Sequence, residues 1–357
     1  MNEIDLQSVL NAFNIKHNIA PYGNGHINDT FCSDPTKYII QRINTKIFTN
    51  PDELMENIEN VTSFLKEKIV ALGGDPDRET LTVIKTIDGK NCYKYNDEYV
   101  YRVYTFIDDT KTVENDKTVE DLYNAGKGFG KFQQMLADFP VEKLHETIKD
   151  FHNTPKRVEA LKTAIAEDKA GRVKSVQSEI EFALKNAEFA SMVVDLMANG
   201  EVLPRVTHND TKINNILFDN ETGEAIAVID LDTVMPGSML YDFGDALRMG
   251  ASTGAEDEID LSKVSVDREC FKCFAKGYLE ETKDVLTPME IELLPFSMKL
   301  MTYECGIRFL TDYLNGDTYF KIHREHHNLD RARNQFKLVA ELNEIEDELK
   351  AVVKSLL

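Results

Sequence analysis

The chain has 357 residues, 42% hydrophobic and 29% charged, a composition ordinary for globular proteins and a length at which a single core divides into two lobes. Its 62 Asp plus Glu against 41 Lys plus Arg give a net charge of -21, a field that repels phosphodiester backbones and anionic membrane surfaces and argues against nucleic acid as a partner. No apolar run approaches the roughly 20 residues of a membrane helix, and MNEIDLQSVLNAFNI lacks the basic-then-apolar order of a secretory signal. The five cysteines (Cys32, Cys92, Cys270, Cys273, Cys305) are sparse and odd in number, which suits a reducing, cytoplasmic setting.

Residues 4–14 carry apolar positions at helical spacing, and APYGNGHINDTF and KYIIQRI then read as strands joined by a glycine turn. Asn50-Pro51-Asp52-Glu53 supplies an N-cap, a proline at the first helical position and an N3 glutamate, so a helix is predicted to start there. Leu54, Ile58, Val61, Leu65 and Ile69 follow on one face, and Gly73 and Gly74 end it. TLTVIKTI, NCYKY and EYVYRVYTFI predict three more strands, rich in β-branched and aromatic residues. From about residue 117 the pattern turns helical, over roughly 117–138, 155–169, 176–199, 266–281, 288–315 and 328–354, with strand-like pieces only in 203–235. Thr287-Pro288-Met289-Glu290 is a further capping box, Gly316 fits the far end of that helix, and Pro295 inside it predicts a kink or break. The expected fold class is α+β: a small sheet-plus-helix lobe over 1–107 and a larger, mainly helical lobe over 108–357.

The chemistry concentrates in THNDTKINNILFD, which holds His208, Asp210, Lys212 and Asn215, and in AVIDLDT, where Asp230 follows Asn215 by fifteen residues. Phosphoryl transfer from a nucleotide needs a carboxylate to orient a hydroxyl, and a carboxamide with a second carboxylate to hold Mg²⁺. Asp, then Lys two residues on, then Asn five on, is the order of the protein-kinase catalytic loop. The bland alternative is an Asx turn leading into a strand, which has no need of a matching Asp230. YDFGDALR spells the kinase metal motif at Asp242-Phe243-Gly244, but 27 residues beyond Asn215, whereas Asp230 sits one strand-turn-strand away. Asp232 reads either as an accessory metal or substrate group or as a solvated turn residue.

Together these residues resemble the aminoglycoside phosphotransferase and choline kinase family, which shares the bilobal protein-kinase-like fold, and the resemblance spans nearly the whole chain. GNGHINDTF, YIIQRIN, VIDLDTVMPGSMLYDFGDALR and GIRFLTDYLNGDTYF are similar to its N-acetylhexosamine 1-kinases, which use ATP to phosphorylate the anomeric hydroxyl of N-acetylglucosamine or N-acetylgalactosamine. The resemblance implies Asp210 as catalytic base, Lys212 balancing charge on the phosphates, Asn215 and Asp230 as Mg²⁺ ligands, and His208 and Asp242 as braces of the loop. It places Gly23, Gly25 and Asn28 at the ATP phosphates, although Asn28 stands where the glycine-rich pattern has a third glycine. Arg42 stands where kinases keep a lysine, a fork in place of a point charge; the alternative for it is an exposed strand cation. Glu56 and Glu59 are candidate partners for Arg42. Thr105, Phe106 and Ile107 would form the hinge facing adenine.

Arg308 and Tyr319 are the implied sugar-binding residues, a planar cation and an aromatic face; an ordinary helix-capping ion pair is the alternative. The single Cys270-x-x-Cys273 lacks the second pair zinc needs and reads as core packing. KIHREHHNL, with His323, His326 and His327, has metal-like spacing without the glutamate of a metalloprotease. The function so implied is an ATP- and Mg²⁺-dependent sugar 1-kinase. Two alternatives stay open: the same reaction on choline, an aminoglycoside, homoserine or methylthioribose, and a non-catalytic nucleotide-binding module.

Overall fold

The computed structural model describes residues 3–23, 28–96, 98–114 and 117–357. Two compact units emerge. One holds the residues up to Thr112 with Met135–Lys149 and Asn215–Pro236; the other holds Val113–Gln134, Asp150–Asn214 and Gly237–Leu357. The chain therefore changes unit between Asn214 and Asn215, inside the THNDTKINN stretch.

In the first unit α1 (Glu3–Ala12) precedes β1 (Asn18–Pro21), β2 (Asp29–Asp34) and β3 (Tyr38–Asn44), followed by α2 (Pro51–Ala71), β4 (Val83–Ile84), β5 (Tyr93–Lys94) and β6 (Tyr99–Thr105). The strands form an antiparallel sheet in the order β1-β2-β3-β6-β4, with β5 also pairing β6. Only Val83 and Ile84 of TLTVIKTI enter the sheet, because Thr86 turns the chain by donating its N–H to Lys90 O at 2.9 Å. Ile40, Tyr101 and Val103 of the sheet pack with Val9, Leu10, Phe13 and Ile15. α2 starts at the predicted cap, Asn50 accepting from Glu53 N, and buries Leu54, Ile58, Val61, Leu65 and Ile69. It closes where Gly74 N–H returns to Ile69 O at 2.9 Å and Gly73 takes a left-handed φ of 81°. A separate three-stranded sheet joins β7 (Thr110–Lys111) to the hairpin strands Ile216–Asp219 and Ala225–Val228.

The second unit is built on helices, and two expectations about them are corrected. The predicted helix over 176–199 is broken into Gln177–Lys185, a 3-10 turn at Asn186–Phe189, and Met192–Ala198. Asn186 leaves the helical ladder by donating its side-chain amide to Phe182 O at 2.9 Å, the local competition that makes asparagine a helix ender. Of the kink or break expected at Pro295, the break does not occur: the helix Pro288–Leu314 continues through it. Leu294 and Phe296 on either side are fully buried, and their packing outweighs the one lost ladder bond. No helix among the described residues is long and apolar enough to cross a membrane.

Two helices of this unit touch through glycine. A Cβ added at Gly126 of Val119–Met135 would stand 2.2 Å from Phe274 O, and one at Gly277 of Arg268–Thr282 would stand 2.1 Å from Tyr123 O. Both clashes are with backbone, so the helices would have to move apart. Gly277→Ala should therefore destabilise by at least about 2 kcal/mol in urea unfolding, although alanine is favoured over glycine in a helix by roughly 1 kcal/mol. A variant as stable as the wild type would refute the close crossing.

Candidate active site

In the second unit the strand Arg205–Thr207 delivers the chain to His208, which is fully buried between the edges of Phe129 and Phe132 at 6.0 and 6.1 Å. Asp242, in the first turn of the helix Met239–Gly250, aims its carboxylate at the loop. His208 N–H donates to Asp242 Oδ2 at 2.9 Å and Asn209 N–H to Oδ1 at 2.8 Å, while Gln133 Nε2 also donates to Oδ2. Burial pushes the Asp242 carboxyl above its ordinary range; His208 and the two N–H donors pull against that. One turn on, Asp245 takes Thr211 N–H at 3.1 Å on one oxygen and Arg248 Nε at 3.1 Å on the other. These bonds let Asn209 hold a left-handed φ of 66°, a conformation asparagine tolerates better than most residues.

Asp210 is half-buried and paired with Lys212, Nζ to Oδ1 at 2.9 Å. Burial alone would raise its pKa, but Lys212, then His208 and Arg248, outweigh it and hold the carboxyl below the ordinary aspartate value. The Lys212 ammonium is correspondingly held charged, mainly by Asp210. A carboxylate so tuned is a weak base that stays ionised, suited to orienting a hydroxyl whose proton leaves late in a loose phosphoryl-transfer transition state.

The first unit carries Asn215 and Asp230 on its hairpin. Val228 pairs with Ile216, and Ile229 N–H donates to Asn215 O at 2.9 Å, so Asn215 and Asp230 flank the hairpin's open end. Asp230 is exposed, with a left-handed backbone (φ 57°, ψ 56°), and leads into the 3-10 turn Leu231–Thr233. A carboxamide and a carboxylate are the hard oxygen donors Mg²⁺ prefers, and the register sets Asn215 opposite Ile229, the residue before Asp230, so the chemistry of the donor set fits the ion.

Asp232 is not a solvated turn residue. It is buried, forms an ion pair through Oδ1 with Arg102 Nη1, and accepts Asn28 Nδ2 on Oδ2 at 2.6 Å. Arg102, on β6 and only 1% exposed, also donates Nε to Gln41 Oε1 at 3.0 Å and lies over the Tyr104 ring. Burial works against the Arg102 charge, and Asp232 with Tyr104 and Asp230 more than offsets it, so it remains a cation. Asn28 completes the link by accepting Asn44 N–H on Oδ1 at 3.0 Å. The sequence reading missed Arg102, which sits unremarked within an apolar strand; a charge at an inward position is the one signal that could have marked it.

The remaining residues expected at the nucleotide lie in the first unit. Gly23 has a left-handed φ of 68°, and Gly25 falls outside the described residues. Arg42 pairs with Asp29, directly opposite it on β2, and lies over the Tyr99 ring. That corrects the expected partners: Glu56 bonds His145 at 3.0 Å and Glu59 bonds Lys85 at 2.9 Å. At the end of β6, Thr105 N–H bonds Thr82 O at 3.0 Å, Phe106 N–H bonds Lys37 O at 2.8 Å, and Ile107 O accepts Thr110 Oγ1 at 3.0 Å.

In the second unit Arg308 lies over the rings of Phe151 and Phe320, at 5.7 and 5.6 Å. Tyr319 is 63% exposed, edge-on to Phe320 at 4.8 Å. Its loop is organised by Asp312, a residue without an assigned role in the sequence reading, which accepts the N–H groups of Thr318, Tyr319 and Phe320 at 2.9, 2.8 and 2.9 Å. The histidine cluster is bound up in its own loop: His327 Nδ1 accepts His323 N–H at 3.1 Å and its Nε2 faces Asp257 at 2.9 Å. Cys270 is buried, and burial pushes its thiol up to about 11.

This arrangement has relatives of known structure. A complex of amicoumacin kinase with AMP-PNP and Ca²⁺ superposes with a TM-score of 0.60 at 14% identity, covering 97% of this chain and 93% of that one. The microcompartment-associated aminopropanol kinase gives 0.59 at 14%, covering 98% and 99%. A spectinomycin phosphotransferase solved with ADP and spectinomycin gives 0.59 at 13%, again covering 98% and 99%. The fold is thus the kinase-like α+β fold of small-molecule phosphotransferases. Residues 19–264 match the model of the phosphotransferase enzyme family, and the chain belongs to that family. The matched span contains every candidate residue from Gly23 to Asp242 and leaves out Arg308 and Tyr319.

Asp232→Asn keeps the shape of the side chain but strips Arg102 of its counter-charge. Stranding a buried cation costs about 3–5 kcal/mol, to be read as a fall in the urea midpoint. An unshifted midpoint would show that the pair contributes nothing to the fold.

Proposed function

We propose that this protein is an ATP- and Mg²⁺-dependent kinase that phosphorylates the anomeric hydroxyl of an N-acetylhexosamine, N-acetylglucosamine or N-acetylgalactosamine, to give the sugar 1-phosphate. The observation that carries it is the hairpin register that sets Asn215, five residues beyond Asp210 of the clamped loop, opposite the residue before Asp230. AMP-PNP with Ca²⁺ in the amicoumacin kinase, and ADP in the spectinomycin phosphotransferase, support a nucleotide donor and a divalent cation here. Residues 1–107 would bind the nucleotide, with Gly23, Gly25, Asn28 and Arg42 toward the phosphates and Thr105 to Ile107 toward adenine. Residues 108–357 would supply catalysis and the acceptor site, in the cytoplasm, with no nucleic-acid or membrane partner.

Asp210 accepts a hydrogen bond from the sugar O1 hydroxyl and takes its proton as the O1–P bond forms and the bond from the γ-phosphorus to the bridging oxygen of ADP breaks. Lys212 keeps Asp210 ionised until then and offsets charge on the transferred group. Mg²⁺ held by Asn215 and Asp230 would neutralise phosphate oxygens as a Lewis acid. Arg308 and the Tyr319 ring would hold the sugar by planar hydrogen bonding and stacking.

Phosphorus NMR of ATP with N-acetylglucosamine should show a sugar 1-phosphate, and a panel of choline, aminoglycosides, homoserine and methylthioribose should be turned over more slowly. Transfer confined to a cationic acceptor rejects the sugar, and nucleotide binding without transfer to any acceptor rejects catalysis. Asp210→Asn should lower kcat by roughly 10²- to 10⁴-fold. The acid limb of kcat/KM should lie below the ordinary aspartate value, since the depressed pKa keeps Asp210 ionised as pH falls. Lys212→Met removes the chief opposing charge and leaves burial dominant, so that limb should move to higher pH; an unmoved limb excludes Lys212 from tuning the base.

A further inference from the structure

The peptide joining Asn209 to Asp210 is held at both ends. Its N–H, on Asp210, donates to His208 Nδ1 at 3.3 Å. Its carbonyl, on Asn209, faces His152 Nε2 at 3.2 Å. His152 lies between the rings of Phe151 and Tyr241, at centroid distances of 4.6 and 5.1 Å, and is buried. Its other nitrogen, Nδ1, meets Glu304 Oε1 at 2.8 Å, and the second oxygen of Glu304 takes Thr154 Oγ1 at 2.6 Å. Glu304 is 1% exposed. A carbonyl oxygen and an ionised carboxylate only accept, so both ring nitrogens must donate for both bonds to form. Burial would neutralise Glu304, yet His152 before it, then Arg308 and Thr154, keep its carboxyl below the ordinary range.

We propose that His152 is a positioning residue for the reaction: its Nε2–H fixes the plane of the peptide preceding Asp210, and Glu304 and Thr154 fix His152. The proposal rests on Asp210 being the group that meets the acceptor hydroxyl. The geometry explains why such a clamp is needed. Asp242 and Asp245 hold the N–H groups of His208, Asn209 and Thr211, but carboxylates cannot hold a carbonyl. With the Asn209 carbonyl released, the left-handed residue could relax and swing Asp210, and a displacement near 1 Å costs about 10²-fold in rate.

Two isosteres separate the two ends of the ring. The amide nitrogen of asparagine overlays Nδ1, so His152→Asn keeps a donor for Glu304 and loses the one for Asn209; the amide nitrogen of glutamine overlays Nε2, so His152→Gln does the reverse. Steady-state kinetics with ATP and N-acetylglucosamine should show kcat reduced about 10²-fold in His152→Asn, with KM for ATP within about twofold of wild type. His152→Gln should recover at least about tenfold of that loss. Wild-type kcat in His152→Asn, or equal loss in both variants, overturns the proposal and leaves His152 a packing residue. Failure of the wild-type protein to phosphorylate any acceptor defeats the kinase reading instead. Nitrogen-15 NMR of the histidine-labelled wild-type protein then decides the clamp, and decides it also where a variant does not fold. A slowly exchanging Nε2–H on His152 supports the clamp, and an unprotonated Nε2 overturns it.

Discussion

The carboxylate of Asp242 lies out of reach of water and takes the N–H groups of two consecutive residues, His208 and Asn209, at 2.9 and 2.8 Å. A loop that leaves a strand and immediately adopts a left-handed residue cannot satisfy those donors with its own carbonyls, and unpaired buried N–H groups are expensive. Placing the acceptor on a helix makes the solution rigid. The same helix, Met239–Gly250, supplies Asp245 for Thr211 N–H and, through Asp242 O, the acceptor for Thr211 Oγ1 at 2.6 Å. One helical turn thus acts as a template for the peptide groups on both sides of Asp210, and the helix Val119–Met135 backs it with Gln133 and the two phenylalanines beside His208.

Near Asp230 the same problem is solved with opposite charges. Arg102 projects from β6 beside Gln41 and meets Asp232 two residues past Asp230, where Asn28 also binds. The 3-10 turn that follows Asp230 is thereby tied to two strands of the sheet, to β6 through Arg102 and to β3 through Gln41 and Asn44. Removing two ions from water is costly, and exchange for apolar side chains is often neutral in other proteins. Here Arg102 Nε also meets Gln41, Asp232 Oδ2 also meets Asn28, and the Tyr104 ring lies against the guanidinium, so the pair is held in place as well as neutralised. Among the described residues the buried arginines of this chain of net charge -21, Arg102 and Arg248, each pair with carboxylates.

Local patterns were legible where the physics is local. The caps at Asn50 and Thr287, the apolar stripe of α2 and the strands of EYVYRVYTFI depend on residues within a few positions of one another, and the structure has each of them. The His208-to-Asn215 stretch stands out for the same reason. What could not be read depends on chain segments meeting at long separation. Asp232 stayed open between a metal or substrate group and a solvated turn residue because Arg102 is far away in sequence, and His152 has no motif because Glu304 is 152 positions distant. Arg42 was offered Glu56 and Glu59 by helical proximity, while strand pairing gave it Asp29. Pro295 was read as a kink or a break from the residue type alone, and the burial on either side of it, which keeps the helix continuous, is a tertiary fact.

Asp230 closes the hairpin with φ 57° and ψ 56°, a region open to glycine, asparagine and aspartate and strained for nearly every other residue. Backbone shape thus filters this position, and on the proposed reading ion chemistry filters it independently. Asparagine alone among the standard residues keeps both the loop and the side-chain volume while dropping the charge, and its codons lie one nucleotide from those of aspartate. On the proposed reading, a single point mutation is then enough to convert a working copy of this gene into a folded paralogue without catalysis.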